Sequence, residues 1–283
     1  PMRNQTENQV RLVMIRHGAT ASNREKRYLG KTDEPLSEEG RQALLDSLKI
    51  HSCPVPDLLF ASPMKRCFQT AQILYPELEP VRIAEWEEMD FGEFEGKNYR
   101  ELNGDARYQA WIDSGGTLPF PGGESREAFQ ERSLRGLKRM LRKLREAPRL
   151  PETVGLIVHG GTIMALLDAL GEDAGEKGYF DYQTENGQGY VCTLRFPAEG
   201  ASGLQGLRLY DIHRLPGPES NRTDFSGREE AKNGVSYAVS YTCVFSGFSD
   251  GSADRGPAGV PSSRAADRRA DRKDAGEAWR DGS

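Results

Sequence analysis

The chain has 283 residues, of which 36% are hydrophobic, enough for one sizeable α/β domain or for a domain with an appendage. Its formal net charge of −5 argues against a general nucleic-acid-binding protein. No run of about 20 apolar residues occurs, so we expect no membrane-spanning helix and no membrane partner.

The N-terminal residues and the cysteines indicate where the protein resides. The first eleven residues are polar and lack the apolar stretch of a secretory signal. The four cysteines are far apart and show no C-x-x-C spacing, which is typical of reduced thiols: Cys53, Cys67, Cys192 and Cys243. The sequence therefore predicts a cytoplasmic protein.

Short apolar runs alternate with amphipathic stretches between residues 10 and 213, which predicts one α/β domain. Residues 12–15 (LVMI) are continuously apolar, as in a strand buried on both faces, and 58–61 and 156–158 resemble them. Helices are predicted at 162–170 and, from five apolar residues at helical spacing, before the third strand: Phe129, Leu134, Leu137, Leu141 and Leu144. Further strands are predicted at 190–196 and 207–212.

Residues 214–283 have a different composition, rich in Gly, Ser, Ala, Arg and Asp. Their few apolar residues could form one strand but not a hydrophobic core. Such a composition does not repay the entropy lost on ordering. We therefore predict a mostly disordered C-terminal tail.

Chemically reactive side chains follow three of the predicted strands. Arg16, His17 and Gly18 follow the first, with Asn23 slightly further on. Ser62 to Arg66 follows the second, where we expect the Ser62 hydroxyl to cap the next helix. His159 and Gly160 follow the third. Because parallel strands end at the same edge of a sheet, we expect these residues to form one pocket.

This combination of residue types suits phosphoryl transfer. A neutral imidazole can attack phosphorus and form a covalent phosphoenzyme. Arginine matches phosphate oxygens bidentately, and Gly18 and Gly160 would allow the backbone to approach a phosphate closely. A leaving alkoxide also needs a proton, and the acidic cluster at residues 85–92 offers carboxyl groups that burial could keep protonated.

Two histidines could instead ligate a metal ion. Arg16 beside His17 disfavours a cation there, and no further Cys or His accompanies the pair. His51 and His213 have unremarkable neighbours and are interpreted as surface or packing residues. A lone R-H-G or H-G-G arises readily by chance, so the functional interpretation depends on finding all the motifs in order.

Residues 10–200 resemble the histidine phosphatase superfamily, the phosphoglycerate mutase-like proteins. Three stretches carry the resemblance: LVMIRHG at 12–18, GKTDEPLSEEG at 30–40 and SPMKRCFQTA at 62–71. The resemblance implies a three-layer α/β/α sandwich with a mostly parallel sheet and no metal or organic cofactor. It also implies His17 as the phosphorylated nucleophile, a phosphate site formed by Arg16, Asn23, Arg66 and His159, and Glu88 as the proton donor. Glu85 and Glu87 remain alternative donors.

Within the family, the short segment 97–121 and the stretch FPGGES at 120–125 most resemble the alpha-ribazole phosphatases of cobalamin assembly. Tyr108, Trp111 or Phe120 could stack on the flat benzimidazole ring of such a substrate, or simply pack onto the sheet. A broad-specificity phosphatase, a phosphoglycerate mutase and a non-catalytic phospho-ligand-binding module remain alternatives. The expected partner is a small-molecule phosphate ester, and a homodimer is left open.

Overall fold

A computed structural model describes residues 7–50, 53–198 and 204–215. The predicted tail, apart from Arg214 and Leu215, lies outside the described residues, as do His51 and Cys243. Six strands form one sheet: β1 (Glu7–Arg16), β2 (Leu58–Ala61), β3 (Val81–Arg82), β4 (Thr153–Val158), β5 (Gly189–Pro197) and β6 (Arg208–Arg214).

Six α-helices connect or follow these strands: α1 (Ala21–Arg24), α2 (Glu38–Ile50), α3 (Lys65–Leu74), α4 (Ala106–Asp113), α5 (Arg126–Glu146) and α6 (Gly160–Leu170). Short 3-10 turns occur at Ala84–Trp86, Gly92–Phe94 and Tyr179–Tyr182. The long helix predicted from apolar spacing is α5, whose Ser125 caps the N-terminus by accepting from the Ala128 N–H. The predicted helix at 162–170 is α6, which begins two residues earlier.

The strand order in the sheet is β3-β2-β4-β1-β5-β6. The strands β3, β2, β4 and β1 are parallel to one another, and β5 is antiparallel to both of its neighbours, β1 and β6. Three of the five pairings are therefore parallel, as in the mostly parallel sheet that was predicted. The carboxyl ends of β2, β4 and β1 lie side by side at one edge.

Helices cover both faces of the sheet. Successive residues of β1 alternate between the two faces, with Leu12 and Met14 packing with α5 and α6, and Val13 and Ile15 with α2 and α3. All four side chains are almost completely buried, which explains why this strand is continuously apolar. The predicted α/β/α sandwich is confirmed.

Within the described ranges, no helix has both the length and the apolar character needed to cross a bilayer. The cysteines found there, Cys53, Cys67 and Cys192, are free thiols.

Candidate active site

The predicted strand-end residues meet at the carboxyl edge of the sheet. Arg16 of β1 pairs with Val158 of β4, and the next residue, His17, donates its N–H to the Val158 carbonyl at 2.9 Å. The Ser62 N–H, just past β2, donates to the Ile157 carbonyl at 3.0 Å. His17, Ser62 and His159 therefore follow three adjacent strands.

His17 is buried, and its ring orientation is fixed by the backbone. Nδ1 lies 2.7 Å from the Gly18 carbonyl oxygen, which can only accept a hydrogen bond. Nδ1 therefore carries the proton, and Nε2 holds the free lone pair. Burial and the nearby Arg66 and Arg16 lower the pKa of His17 well below its usual value, although the Gly18 hydrogen bond opposes them. The neutral ring is therefore favoured near pH 7.

His159 lies next to His17, with ring centroids 5.2 Å apart. Its Nε2 is 2.8 Å from the Ser62 hydroxyl. Ser62 is not the helix cap that was predicted, because α3 starts at Lys65 with Met64 as its N-cap, although the Ser62 hydroxyl accepts the Met64 N–H at 3.4 Å. Ser62 orients His159 instead.

The protonation state of His159 depends on whether a substrate is bound. Burial and the neighbouring Arg66 and His17 lower the pKa of His159 well below its usual value. The neutral ring is favoured in the protein alone. A dianionic ester beside the ring would raise its pKa again, since an opposite charge stabilises the protonated form.

Glu88 carries the one carboxyl group of the acidic cluster at 85–92 that lines the cavity in the described structure. It is 9% exposed, and its Oε2 is 3.9 Å from Nδ1 of His159. Burial raises the pKa of Glu88, while the Met89 N–H bond and the charges of Arg66, Arg16 and Arg132 oppose the rise. Glu85 instead forms an ion pair with Arg139, with Oε1 3.4 Å from Nη1.

Three further residues were predicted to bind a phosphoryl group. Arg16 and Asn23 line the cavity, with Arg16 Nη1 donating to the Thr184 carbonyl at 2.7 Å. Arg66 is fully buried and lies outside the cavity lining; its two Nη groups each donate at 2.9 Å to carbonyls of the 30–32 loop. Its Nε has no hydrogen-bond partner among the described residues, and its charge lowers the pKa of both histidines.

The two glycines predicted to admit a phosphate differ from each other. Gly160 lines the cavity, and a Cβ there would lie 3.4 Å from Nε of Arg16. Gly18 does not line it; a Cβ there would lie 2.6 Å from Cδ1 of Leu44. Glycine at position 18 therefore allows close packing against Leu44 of α2. The backbone carbonyl of Gly18 accepts the hydrogen bond that orients the His17 ring.

Aromatic rings and one cation form the distal part of the cavity. Trp111 and Phe120 line it with ring centroids 4.8 Å apart, whereas Tyr108 packs behind them. Arg126 lines it above the Tyr179 ring, at 5.3 Å from the centroid. It forms no ion pair with a carboxylate among the described residues.

Two residues that motif analysis did not single out support the His17 loop. Asn186 donates through Nδ2 to the His17 carbonyl at 3.0 Å and to Oδ1 of Asn23 at 3.2 Å. Thr70 accepts the Gly18 N–H at 2.9 Å. Thr70 lies in the SPMKRCFQTA stretch, so this motif could have indicated its role. Asn186 lies in no such motif, and the sequence around it gives no comparable indication.

Residues 12–202 match the family model of the histidine phosphatase superfamily (branch 1). The chain belongs to this superfamily. Membership, together with relatives named as phosphatases, makes it a hydrolase of phosphate monoesters.

Relatives within the superfamily carry different names. A glucosyl-3-phosphoglycerate phosphatase of Mycolicibacterium vanbaalenii is 32% identical over 56% of this chain and 73% of its own. A 2,3-bisphosphoglycerate-dependent phosphoglycerate mutase of Gloeobacter violaceus is 30% identical over 73% and 95%. The adenosylcobalamin/alpha-ribazole phosphatase of Escherichia coli is 30% identical over 57% and 79%.

Solved structures of the superfamily share the fold. The mycobacterial glucosyl-3-phosphoglycerate phosphatase superposes with a TM-score of 0.56 at 25% identity, covering 71% of this chain and 96% of its own. The alpha-ribazole phosphatase of Shigella flexneri superposes with a TM-score of 0.56 at 22% identity, covering 71% of this chain and 94% of its own.

Within the described ranges, no group of three His, Cys, Asp or Glu side chains could hold a metal ion.

Proposed function

We propose that this histidine phosphatase works through a phosphohistidine at His17. The observation that carries the proposal is the hydrogen bond from Nδ1 to the Gly18 carbonyl, because it leaves the Nε2 lone pair of a neutral imidazole for attack on phosphorus. The bond from phosphorus to the ester oxygen breaks as the Nε2–phosphorus bond forms. The charge on the phosphoryl oxygens would be stabilised by the predicted phosphate-binding groups: Arg16, Asn23, Arg66, His159 and the backbone at Gly160.

Glu88 is the proposed proton donor. Its raised pKa keeps a proton available for the leaving oxygen, and the resulting carboxylate can then take a proton from water. That water attacks phosphorus, breaks the bond to Nε2 and releases inorganic phosphate. Glu85 and Glu87, the alternatives from the sequence, do not line the cavity.

The proposed substrate is alpha-ribazole 5′-phosphate, which would place the enzyme in adenosylcobalamin biosynthesis. Trp111 and Phe120 offer aromatic surface on which a flat benzimidazole could pack. The similarity to the E. coli alpha-ribazole phosphatase supports this choice. We place the reaction in the cytoplasm, on the basis of the scattered cysteines.

A second candidate is an ester with a carboxylate remote from its phosphate, such as glucosyl-3-phosphoglycerate. Arg126 favours it, because this guanidinium lines the cavity and pairs with no carboxylate of the described residues. Arg27 also lines the cavity, but Glu25 and Glu101 accept from it at 2.6 and 2.5 Å. The similarity to the mycobacterial phosphatases agrees with this candidate.

Phosphate release by the purified full chain tests these proposals. The assay compares alpha-ribazole 5′-phosphate, glucosyl-3-phosphoglycerate and 3-phosphoglycerate in the presence of EDTA, with His17→Ala as the blank. A kcat/KM at least tenfold higher for the first ester supports the alpha-ribazole assignment, and the reverse ratio supports the second candidate. Conversion of 3-phosphoglycerate to 2-phosphoglycerate without phosphate release would contradict both.

A further inference from the structure

Arg132, in the second turn of α5, lies against the segment that carries Glu88. One of its terminal nitrogens, Nη1, donates to the backbone carbonyls of Glu85 at 2.9 Å and Glu87 at 2.8 Å. The other, Nη2, donates to the carbonyl of Glu88 itself at 3.2 Å. One guanidinium therefore holds three carbonyls within four consecutive residues.

The remaining donors of Arg132 bind Glu124 bidentately. Nε donates to Oε1 at 2.9 Å, and Nη2 donates to Oε2 at 2.7 Å. All five N–H groups of the guanidinium therefore donate hydrogen bonds. A lysine ammonium has only three donors and could not make all of these bonds. The pair is largely shielded from water, with 19% of the Arg132 side chain and 17% of the Glu124 side chain exposed.

Glu124 holds the same segment on the other side of Glu88. Its Oε2 accepts the Asp90 N–H at 3.2 Å, and its own N–H donates to the Asp90 carbonyl at 2.9 Å. Residues 85–90 are therefore fixed both before and after the acid. Arg132 itself is not part of the cavity wall.

We propose that Arg132, paired with Glu124, is a positioning residue that directs the Glu88 carboxyl into the cavity. The inference rests on the proposed role of Glu88 as proton donor. The pairing also explains how a cation can lie so close to an acid that must keep its proton. The Glu124 carboxylate balances the guanidinium charge, which on its own would favour the ionised form of Glu88.

Arg132→Lys tests the proposal when kcat/KM is measured with two esters. A simple alkyl phosphate needs a proton on its leaving oxygen, whereas 4-nitrophenolate leaves without one. We expect kcat/KM to fall about 10- to 30-fold for the alkyl ester and less than about twofold for 4-nitrophenyl phosphate, within the range of general acid catalysis. The matched control is Arg139→Lys, on the same helix, which contacts the Glu85 side chain but none of the three carbonyls.

A double-mutant cycle with Glu88→Gln separates positioning from a merely structural role. If Arg132 acts through Glu88, the double variant is no slower than Glu88→Gln alone. Equal losses on the two esters, or additive losses in the double variant, would overturn the proposal. If Arg132→Lys does not fold, Glu124→Gln provides the same comparison with the arginine in place.

The same data distinguish this proposal from the one on which it rests. If Glu88→Gln lowers kcat/KM equally for both esters, then the assignment of Glu88 as acid fails and the positioning role fails with it. If Glu88→Gln acts selectively on the alkyl ester but Arg132→Lys does not, only the positioning role is wrong.

Discussion

The two ends of the cavity are built from different parts of the fold. At the phosphate-binding end, His17, Ser62 and His159 directly follow three adjacent strands, and all are buried and hydrogen-bonded. At the distal end, Trp111 and Phe120 belong to the segments between β3 and α5. Tyr179 and Phe180 belong to the 3-10 turn after α6.

This difference suggests a division of roles. The sheet edge fixes groups whose positions must be accurate to fractions of an ångström for reaction. The connecting segments can change in sequence without disturbing that edge, which makes them suited to recognising different esters. The relatives, which share a superfamily but carry the names of different substrates, agree with this view.

Removing the nucleophile should have the largest effect on the phosphate-binding end. We predict that His17→Ala lowers turnover of every ester by about 10³-fold or more, because it removes the imidazole that forms the covalent intermediate. Rapid quenching with ³²P-labelled substrate checks this directly: the wild type should carry an acid-labile, alkali-stable label that the variant lacks. His213→Ala, an exposed position on β6, is the control. A labelled His17→Ala protein would rule out His17 as the nucleophile.

The pH dependence should separate the two titrating groups of that end. His17 has a lowered pKa, so the neutral nucleophile persists below pH 6.5 and activity falls only under more acidic conditions. Glu88 has a raised pKa, so activity on alkyl esters falls as pH rises and this carboxyl loses its proton. We predict that Glu88→Gln lowers kcat/KM about 10²-fold and abolishes the alkaline decline.

The ratio of wild-type to Glu88→Gln activity at each pH is the informative quantity, because ionisation of the ester affects both proteins equally. This ratio should decrease steadily with rising pH. An alkaline decline that is equally steep in both proteins would assign it to another group.

A small change beside the acid should have a smaller but selective effect. A Cβ at Gly161 would lie 2.6 Å from Oε1 of Glu88 and 3.1 Å from the Phe129 ring, so Gly161→Ala must displace the carboxyl. We predict a loss of about tenfold in kcat/KM for alkyl esters and little loss for 4-nitrophenyl phosphate. Gly175→Ala, where a Cβ would have no atom within 4 Å, is the matched control. A similar loss for both esters would indicate damage to the phosphate site instead.

Much of the fold followed from local patterns in the sequence. The structure confirms the predicted strands at 12–15, 58–61 and 156–158 and the helix α5. Each could be predicted because its apolar residues follow the spacing that burial in a strand or helix produces. The antiparallel pairing of β5 with β1 and with β6 was not predicted, since an apolar pattern is the same in either direction. The helix α2 was missed because Leu44 is its only large buried apolar side chain, and β3 because it has two residues.

The site was predictable where its residues lie in short motifs, most of which follow strand ends. Arg132 and Asn186 act mainly through backbone carbonyls, and every residue has a carbonyl whatever its side chain. Such contacts leave no pattern at the partner position. The partners are also distant in sequence, as with Asn186 and His17, so their proximity depends on the complete fold.

The smallest predicted effect concerns the distal end and decides between the two candidate substrates. Arg126 lines the cavity without a carboxylate partner in the described structure. If the substrate carries a carboxylate there, Arg126→Gln should raise KM about fivefold for glucosyl-3-phosphoglycerate with little change in kcat, as expected when a partly exposed ion pair is lost. KM for alpha-ribazole 5′-phosphate should then stay unchanged. Arg27→Gln, at a cavity position already paired with two glutamates, is the control. If Arg126→Gln raises KM equally for both esters, the guanidinium attracts their phosphates in general and does not select a second anionic group.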